Sequence, residues 1–581
     1  MKHAELLTLY IKKNWRLYLT AVLLIITSNV DQALLPQVLG SVTDGLKDGS
    51  LGRSGIISYS LALLGIAISY AVLFGLGQFT VMRLGRRFEY ETRGKIFAQF
   101  SRLSEDFFSK QGTGKLLSYV MNDVTSVREA ISFGVTQTTN ALFLVTSCIL
   151  MMFLSGIPLT LIAVSVCPLI AIPSLVTYFG PRIRKRSMAV QESLATMTES
   201  ADEQIGGIRV TKTFAIEKTA QSRFDLTVDG IRSAQLHLVR LSSLFQALLP
   251  FLGAISLVIS LLVGGYMTIQ GKMSLGNFVA LTLYLRILTG PLQQIGNVIN
   301  MMQRSGASLE RVNRLLAEVP AVRDAEGAKP LEQIGDIVVS GLNFSYPGAA
   351  EPTLEGISFT VPAGHTIGII GRTGSGKTTL AKLMLRIYEP PADSIRMNGQ
   401  DVRAVTLDSL RSSIGYVPQD GFLFSTTIAD NIAFSNRCAP LEQVEYAAQQ
   451  ALLLESIKSF PEGFDTPLGE RGVTLSGGQR QRASLARGWM KQPELLILDD
   501  SMSAVDAVTE AGILDNLIQD RSGKTTLIIS HRISTVRHAN EILVLDQGRI
   551  VQRGNHHELM AETDGLYASL YRIQQEGLQH D

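Results

Sequence analysis

The chain has 581 residues, 46% of them hydrophobic and 18% charged, with a formal net charge of +2 and a mean hydropathy of +0.20. That apolar balance excludes an ordinary soluble multidomain protein, and the near-neutral charge excludes a basic surface for nucleic acid. Nearly all long uncharged runs fall before residue 305, so the average hides an apolar half and a half that reads as a soluble α/β domain. Cys148, Cys167 and Cys438 are scattered, the first two inside apolar runs, and form neither a metal spacing nor a disulfide framework.

From the start, Lys2, Lys12, Lys13 and Arg16 stand against Glu5, and an apolar run then extends from Leu17 to about Leu39. It is too long for the core of a signal peptide and reads as a first membrane helix. Similar runs follow at about 56 to 81, 130 to 154, 157 to 179, 244 to 269 and 276 to 303, which predicts six spans. Basic residues crowd the N-terminus and the two long segments after spans two and four (for example Arg86, Arg87 and Arg93, then Arg182, Lys185 and Arg186). By the positive-inside tendency both termini and both segments face the cytoplasm of a multi-pass protein in the cell membrane. The two segments are helical in composition, which predicts helices continuing below the bilayer. Within them, residues 107 to 124 and 199 to 218 read as short turns where a helix could touch another domain. On periodicity alone a plain solvated helix with an amphipathic face is the preferred reading.

Inside the spans, Asp31 and Arg286 are ionisable groups that hydrocarbon disfavours. On the sixth span Arg286, Thr289, Gln293, Asn297, Asn300 and Arg304 recur at three- and four-residue steps and share one face. That face, with Asp31, is a candidate lining for a substrate cavity; the lower members equally suit a helix that has left the bilayer. Asp31 is also a candidate ion-pair partner for Arg286.

Residues 305 to 334 form a charged linker with Pro320 and Pro330 between a membrane domain (1–304) and a nucleotide-binding domain (335–581). Strands are predicted at Ile337–Tyr346 and Ile357–Val361. The apolar run from Thr366 then meets Gly371-Arg372-Thr373-Gly374-Ser375-Gly376-Lys377-Thr378-Thr379 and a helix. Strand, glycine loop and helix are the order a phosphate cradle needs: glycines aim backbone N–H groups at phosphate oxygens, Lys377 adds charge, and Thr378 offers a hydroxyl to Mg²⁺. This predicts an ATP site. Leu495–Leu498 is a buried strand ending in Asp499, placed to hold Mg²⁺ opposite the phosphates, and Asp500 follows. Thr525–Ser530 delivers His531, and residues 542–551 read as a hairpin through Asp546-Gln547-Gly548. Leu475-Ser476-Gly477-Gly478-Gln479 opens a further helix, a second amide cradle about a hundred residues from the first.

With these motifs the whole chain resembles the ATP-binding cassette (ABC) family: a six-span α-helical exporter domain fused to an α/β P-loop cassette, as in half-transporters of the bacterial heterodimeric multidrug type. The resemblance implies that Tyr346 stacks on adenine, that Gln419 senses Mg²⁺ and meets the membrane domain, and that Ser476–Gln479 is the signature. It likewise implies that 466 to 472 is the exporter-specific loop, that Asp506 closes the loop after Asp500, and that His531 is the switch histidine. It turns 107–124 and 199–218 into coupling-helix regions.

Two departures stand out. A turn glycine is replaced by Asp393, a residue that tolerates turns. More consequential, the family's efficient members carry Glu after the Mg²⁺ aspartate, where this chain has Asp500; one methylene less implies a carboxylate drawn back and slow hydrolysis. Because nucleotide is sandwiched between one cassette's phosphate loop and the other's signature, the resemblance implies a heterodimer with a Glu-bearing half, exporting amphiphilic drugs or lipids. The alternatives are a homodimeric lipid or peptide exporter and an ATP-gated membrane regulator; a soluble cassette ATPase fails on the six spans.

Overall fold

The computed structural model describes residues 5–469, 472 and 474–580. Two compact units emerge, one made of residues up to Ser101 together with Thr113–Glu318, the other of Arg102–Gly112 together with the chain from Val319.

The first unit is α-helical. Helices α1 (Glu5–Lys47) and α2 (Arg53–Phe100) are followed, after the short α3 (Glu105–Gln111) of the second unit, by α4 (Thr113–Leu154) and α5 (Leu159–Gly206). A short helix α6 (Ile208–Thr213) leads to α7 (Glu217–Ile269) and α8 (Leu275–Ala317). Among the described residues six of these are long and apolar enough to cross a membrane. On α2, Leu61, Leu64, Ile68, Val72 and Leu76 are exposed at helical spacing, the pattern of a face turned to lipid. The opposite faces pack through small residues. A Cβ on Gly40 of α1 would stand 2.7 Å from the Gly276 carbonyl oxygen, so these backbones approach as only glycine allows. Asp44 Oδ1 accepts from the Gly276 N–H at 2.6 Å in the first turn of α8, and the wholly buried Tyr284 donates its hydroxyl to the Ala33 carbonyl at 2.9 Å. Proline stands inside α5 (Pro168, Pro173, Pro181), α7 (Pro250) and α8 (Pro291) without ending these helices, a tolerance common in membrane-spanning helices. On the polar extension of α2 the buried Glu89 is met by Arg86 (3.0 Å), Arg93 (2.8 Å) and Arg128 (3.4 Å). Loss of any one cation leaves two on the carboxylate, whereas loss of Glu89 would leave the buried Arg128 with only the more exposed Glu129 as counter-charge.

The second unit carries two sheets. Strands β1 (Ile337–Phe344), β2 (Leu354–Val361), β4 (Ile395–Met397) and β5 (Gln400–Asp401) pair antiparallel in the order β2-β1-β4-β5. The six-stranded sheet runs β10-β9-β3-β8-β7-β6, with β3 (Thr366–Gly371), β6 (Ile414–Val417), β7 (Leu495–Asp499), β8 (Thr525–Ser530) and β9 (Glu541–Asp546) parallel. Antiparallel β10 (Arg549–Gly554) closes the edge through a turn with Gln547 and Gly548 at φ +45° and +78°. Every residue of β7 and β8 is buried, as in a parallel sheet covered on both faces. Helices α9 (Lys377–Met384), α10 (Gly477–Met490) and α11 (Ala507–Asp520) pack around it.

Several expected boundaries move. The first strand ends at Phe344, leaving Tyr346 in the loop beyond, and the second starts earlier, at Leu354. Residues 113 to 124 are helix, because Gly112 alone, at φ +73°, makes the turn, and Leu116, Val120 and Val124 then repeat every four residues. The second bend lies at Gly207 and at Ala215, which takes φ +51°. Asp393 adopts φ +59°, the conformation its missing glycine would have taken. Of the loop 466–472, Glu470 and Arg471 lie outside the described residues.

Candidate nucleotide site

The site forms where β3, β7 and β8 end side by side. At the end of β3, Gly371 has no room for a side chain, since a Cβ would meet the Leu545 carbonyl oxygen at 2.0 Å. The loop then turns through Gly374 (φ +82°) and Gly376 (φ +97°), a left-handed conformation that glycine adopts without strain. It ends at the first residue of α9, whose unpaired N–H groups and dipole favour an anion. Lys377 Nζ donates to the carbonyls of Gly371 (2.9 Å) and Arg372 (2.8 Å), which curls the side chain over the loop. Burial depresses its pKa, while Asp500 and Asp499 act in the other direction.

Asp499, 1% exposed at the end of β7, accepts from Thr378 Oγ1 on Oδ1 and from the Tyr416 hydroxyl on Oδ2, both at 3.0 Å. Burial pushes its carboxyl above the usual range, against the lowering effect of those two donors. The Tyr416 hydroxyl is pushed up by burial and then by the Asp499 charge, so it stays a donor. Asp500 takes φ +47° and sits with Oδ1 2.7 Å from His531 Nδ1, while Oδ2 accepts from Gln419 Nε2 at 3.3 Å. Its shorter side chain therefore still spans the two flanking groups. The Tyr346 hydroxyl lies 3.0 Å from Thr379 Oγ1, and its ring meets Tyr388 edge-on at 5.0 Å.

One cavity of about 350 Å³ is lined by Tyr346, Thr373 to Thr379, Gln419, Asp499, Asp500 and His531. Gly371 and Arg372 support it through the Lys377 contacts. Ser476, Gly477, Gly478, Gln479 and Asp506 lie outside it. They make a second structure: Ser476 caps α10 reciprocally with Gln479 (3.3 and 3.0 Å), and Asp506 Oδ1 caps α11 by accepting from the Thr509 N–H at 3.0 Å. Gln481 joins them to the loop after Asp500 through Ser503 Oγ (2.9 Å) and the Ala504 N–H (2.8 Å). In the helical unit Asp31 accepts from Ser69 Oγ at 2.6 Å. Among the described residues no ion pair joins it to Arg286, which is exposed on α8 with Asn297, while Gln293 is half-buried.

Residues 18–292 match the family described as ABC transporter transmembrane region and residues 354–503 the family described as ABC transporter. The chain is 36% identical to the Bacillus subtilis (strain 168) protein named "Probable multidrug resistance ABC transporter ATP-binding/permease protein YheI", over 97% of this chain and 96% of that one. It therefore belongs to the ABC transporter family. The multidrug resistance-like ATP-binding protein MdlA of Escherichia coli (strain K12) is 32% identical over 98% and 96% of the two chains. The ATP-dependent lipid A-core flippase of Syntrophus aciditrophicus (strain SB) is 34% identical over 88% and 85%. A solved bacterial Atm1-family ABC exporter with ATP bound matches at a TM-score of 0.80 and 27% identity over 97% of this chain and 99% of that chain. This protein is thus an ABC exporter half-transporter, a multi-pass membrane protein whose cassette binds ATP and couples its hydrolysis to transport.

Four contributors to the exporter's site escaped sequence reasoning: Thr353 and Ile529 in the cavity wall, Tyr416 on Asp499, and Tyr388 against Tyr346. Tyr416 had a signal, since it stands between Gly415 and Val417 in a strand leading straight to Gln419, an odd place for a hydroxyl without a partner.

Proposed function

We propose that this exporter half moves amphiphilic drugs or lipids out of the cell, holding ATP at a slow site of its own and pairing with a different, Glu-bearing half. The observation that carries the reading is Asp500: a carboxylate one methylene shorter than the efficient family pattern, drawn between His531 and Gln419 beside Asp499. Displacement of a reacting group by on the order of 1 Å can cost about 10²-fold in rate. The signature end is intact, with Ser476 and Gln479 capping α10, so this chain can complete a partner's phosphate site while its own turns over slowly. In that arrangement Tyr346 holds the adenine, Gly371 to Thr379 with Lys377 hold the phosphates, and Gln419 and His531 act beside the attacked phosphate.

Mg²⁺ fits the residues present. Neighbouring ligands of an octahedral site at about 2.1 Å stand about 3 Å apart, and Thr378 Oγ1 and Asp499 Oδ1 are 3.0 Å apart. Thr378 and Asp499 would hold the ion with Gln419 nearby, and it would supply charge neutralisation for the phosphates. The basic segments after spans two and four favour cytoplasmic termini in the cell membrane. Apolar spans with few ionisable groups suit an amphiphile, with Asp31, Arg286, Gln293 and Asn297 as candidate contacts. The multidrug and lipid A-core flippase relatives support drugs and lipids respectively.

The test is ATP turnover by the purified chain, alone and co-purified with a Glu-bearing half. Feeble turnover alone, restored turnover in the pair, and a larger loss from Ser476→Ala than from Asp500→Asn are expected. Fast, drug-stimulated hydrolysis by the chain alone, abolished by Asp500→Asn, would favour a homodimer instead.

A further inference from the structure

In the helical unit a cavity of about 660 Å³ opens between α5 and α7. Arg182, Lys185 and Arg186 line it from α5, at the i, i+3 and i+4 spacing that puts them on one helix face, and His237 and Arg240 line it from α7. Leu241 and Leu244 continue the α7 wall. The sequence places this cleft at a particular depth. The apolar run of the fourth span ends at about residue 179, just before Arg182, and that of the fifth begins at about 244, just after Arg240. The cations therefore stand where the hydrocarbon ends and the leucines where it begins.

Nothing else neutralises the cleft. Among the described residues no carboxylate pairs with Arg182, Lys185, Arg186 or Arg240; the ion pairs near α7 are Lys212–Glu217 and Arg232–Asp229. Like charges gathered without counter-charge repel one another, and an anion entering the cleft relieves that repulsion. Part of the geometry is set in advance. The Arg182 guanidinium stacks on the Tyr178 ring at 3.6 Å and donates through Nη1 to the Tyr178 carbonyl at 2.6 Å. His237 Nδ1 donates to the Ser233 carbonyl at 2.8 Å.

We infer that this cleft binds the phosphate headgroup of an anionic membrane lipid, with Arg186 and Arg240 meeting phosphate oxygens from opposite walls and an acyl chain lying on Leu241 and Leu244. A guanidinium suits phosphate by its forked donors, and basic pockets between membrane helices at this depth suit anionic headgroups. The inference rests on the membrane reading of the spans and is independent of the slow site at Asp500, so it survives if the partner proposal fails.

The experiment measures phosphatidylglycerol and phosphatidylcholine binding to the full-length protein by native mass spectrometry, with inorganic phosphate as a soluble competitor. Wild type is expected to retain phosphatidylglycerol over phosphatidylcholine, and millimolar inorganic phosphate to leave it bound. At roughly fivefold per charge removed, Arg186→Gln with Arg240→Gln should weaken phosphatidylglycerol about 25-fold, and Arg186→Lys with Arg240→Lys only a few-fold. Should the double Gln variant fail to fold, Lys185→Gln alone is expected to weaken binding about fivefold. Unaltered phosphatidylglycerol binding in a folded Gln variant, or equal retention of phosphatidylcholine, would overturn the site. Displacement by inorganic phosphate would overturn the lipid assignment.

Discussion

Replacing Asp500 by Glu separates the two effects this residue has on the exporter. At present its carboxylate lies 2.7 Å from His531 Nδ1 and 3.3 Å from Gln419 Nε2, beside Asp499. Glu adds one carbon–carbon bond, about 1.5 Å of reach. Misplacement of about 1 Å is worth on the order of 10² in rate, so Asp500→Glu should raise ATP turnover by the purified chain about a hundredfold. The same substitution has a cost elsewhere. Asp500 sits at φ +47°, which Asp tolerates through its short polar side chain and Glu tolerates less well, so folding stability should fall by about 1 kcal/mol. Phosphate release under saturating ATP and Mg²⁺, with thermal unfolding of the nucleotide-free protein, reads both effects. Unchanged or reduced turnover in a folded Asp500→Glu protein would refute the argument that carboxylate reach limits this site.

Lys377→Ala should weaken ATP binding roughly ten- to a hundredfold, the loss of charge-assisted hydrogen bonds to phosphate, and equal nucleotide affinity in a binding titration would sink the cradle. Tyr416→Phe removes one of two donors to a carboxylate that is 1% exposed, so metal-free unfolding of the protein should show a loss of about 1–2 kcal/mol; an unaltered transition would mean that the hydroxyl contributes nothing. Arg286→Ala should change the order in which amphiphiles stimulate ATP hydrolysis, measured across a panel of cationic, neutral and anionic compounds. An equal loss for every compound would mark Arg286 as structural.

The motifs that carry chemistry were legible because each is local: the loop from Gly371 to Thr379 and the pair Asp499-Asp500 need only their own glycines, charges and flanking apolar runs to be read. What was not legible depends on partners set by the fold. Tyr416 reaches Asp499 because β6 pairs beside β7 in a register that puts Val417 opposite Leu498, one step from the aspartate. Asp31 finds Ser69 on the next helix at a sequence separation of 38 residues, a partner that the candidate pairing with Arg286 does not anticipate. The helical character of 113–124 was hidden by Gly112 and Gly114, of which only the first breaks the chain's direction. In the same way Glu105, at the start of α3, pairs with Lys382 of α9 at 2.6 Å, a contact that neither segment announces by itself.

If the cassette drives a pump, inverted membrane vesicles containing this chain and a Glu-bearing partner half should take up a fluorescent amphiphilic dye in an ATP-dependent way. Accumulation that requires hydrolysable ATP and falls with Ser476→Ala is the expected result. Dye movement equal in both directions without hydrolysis, or uptake indifferent to Ser476→Ala, would contradict it.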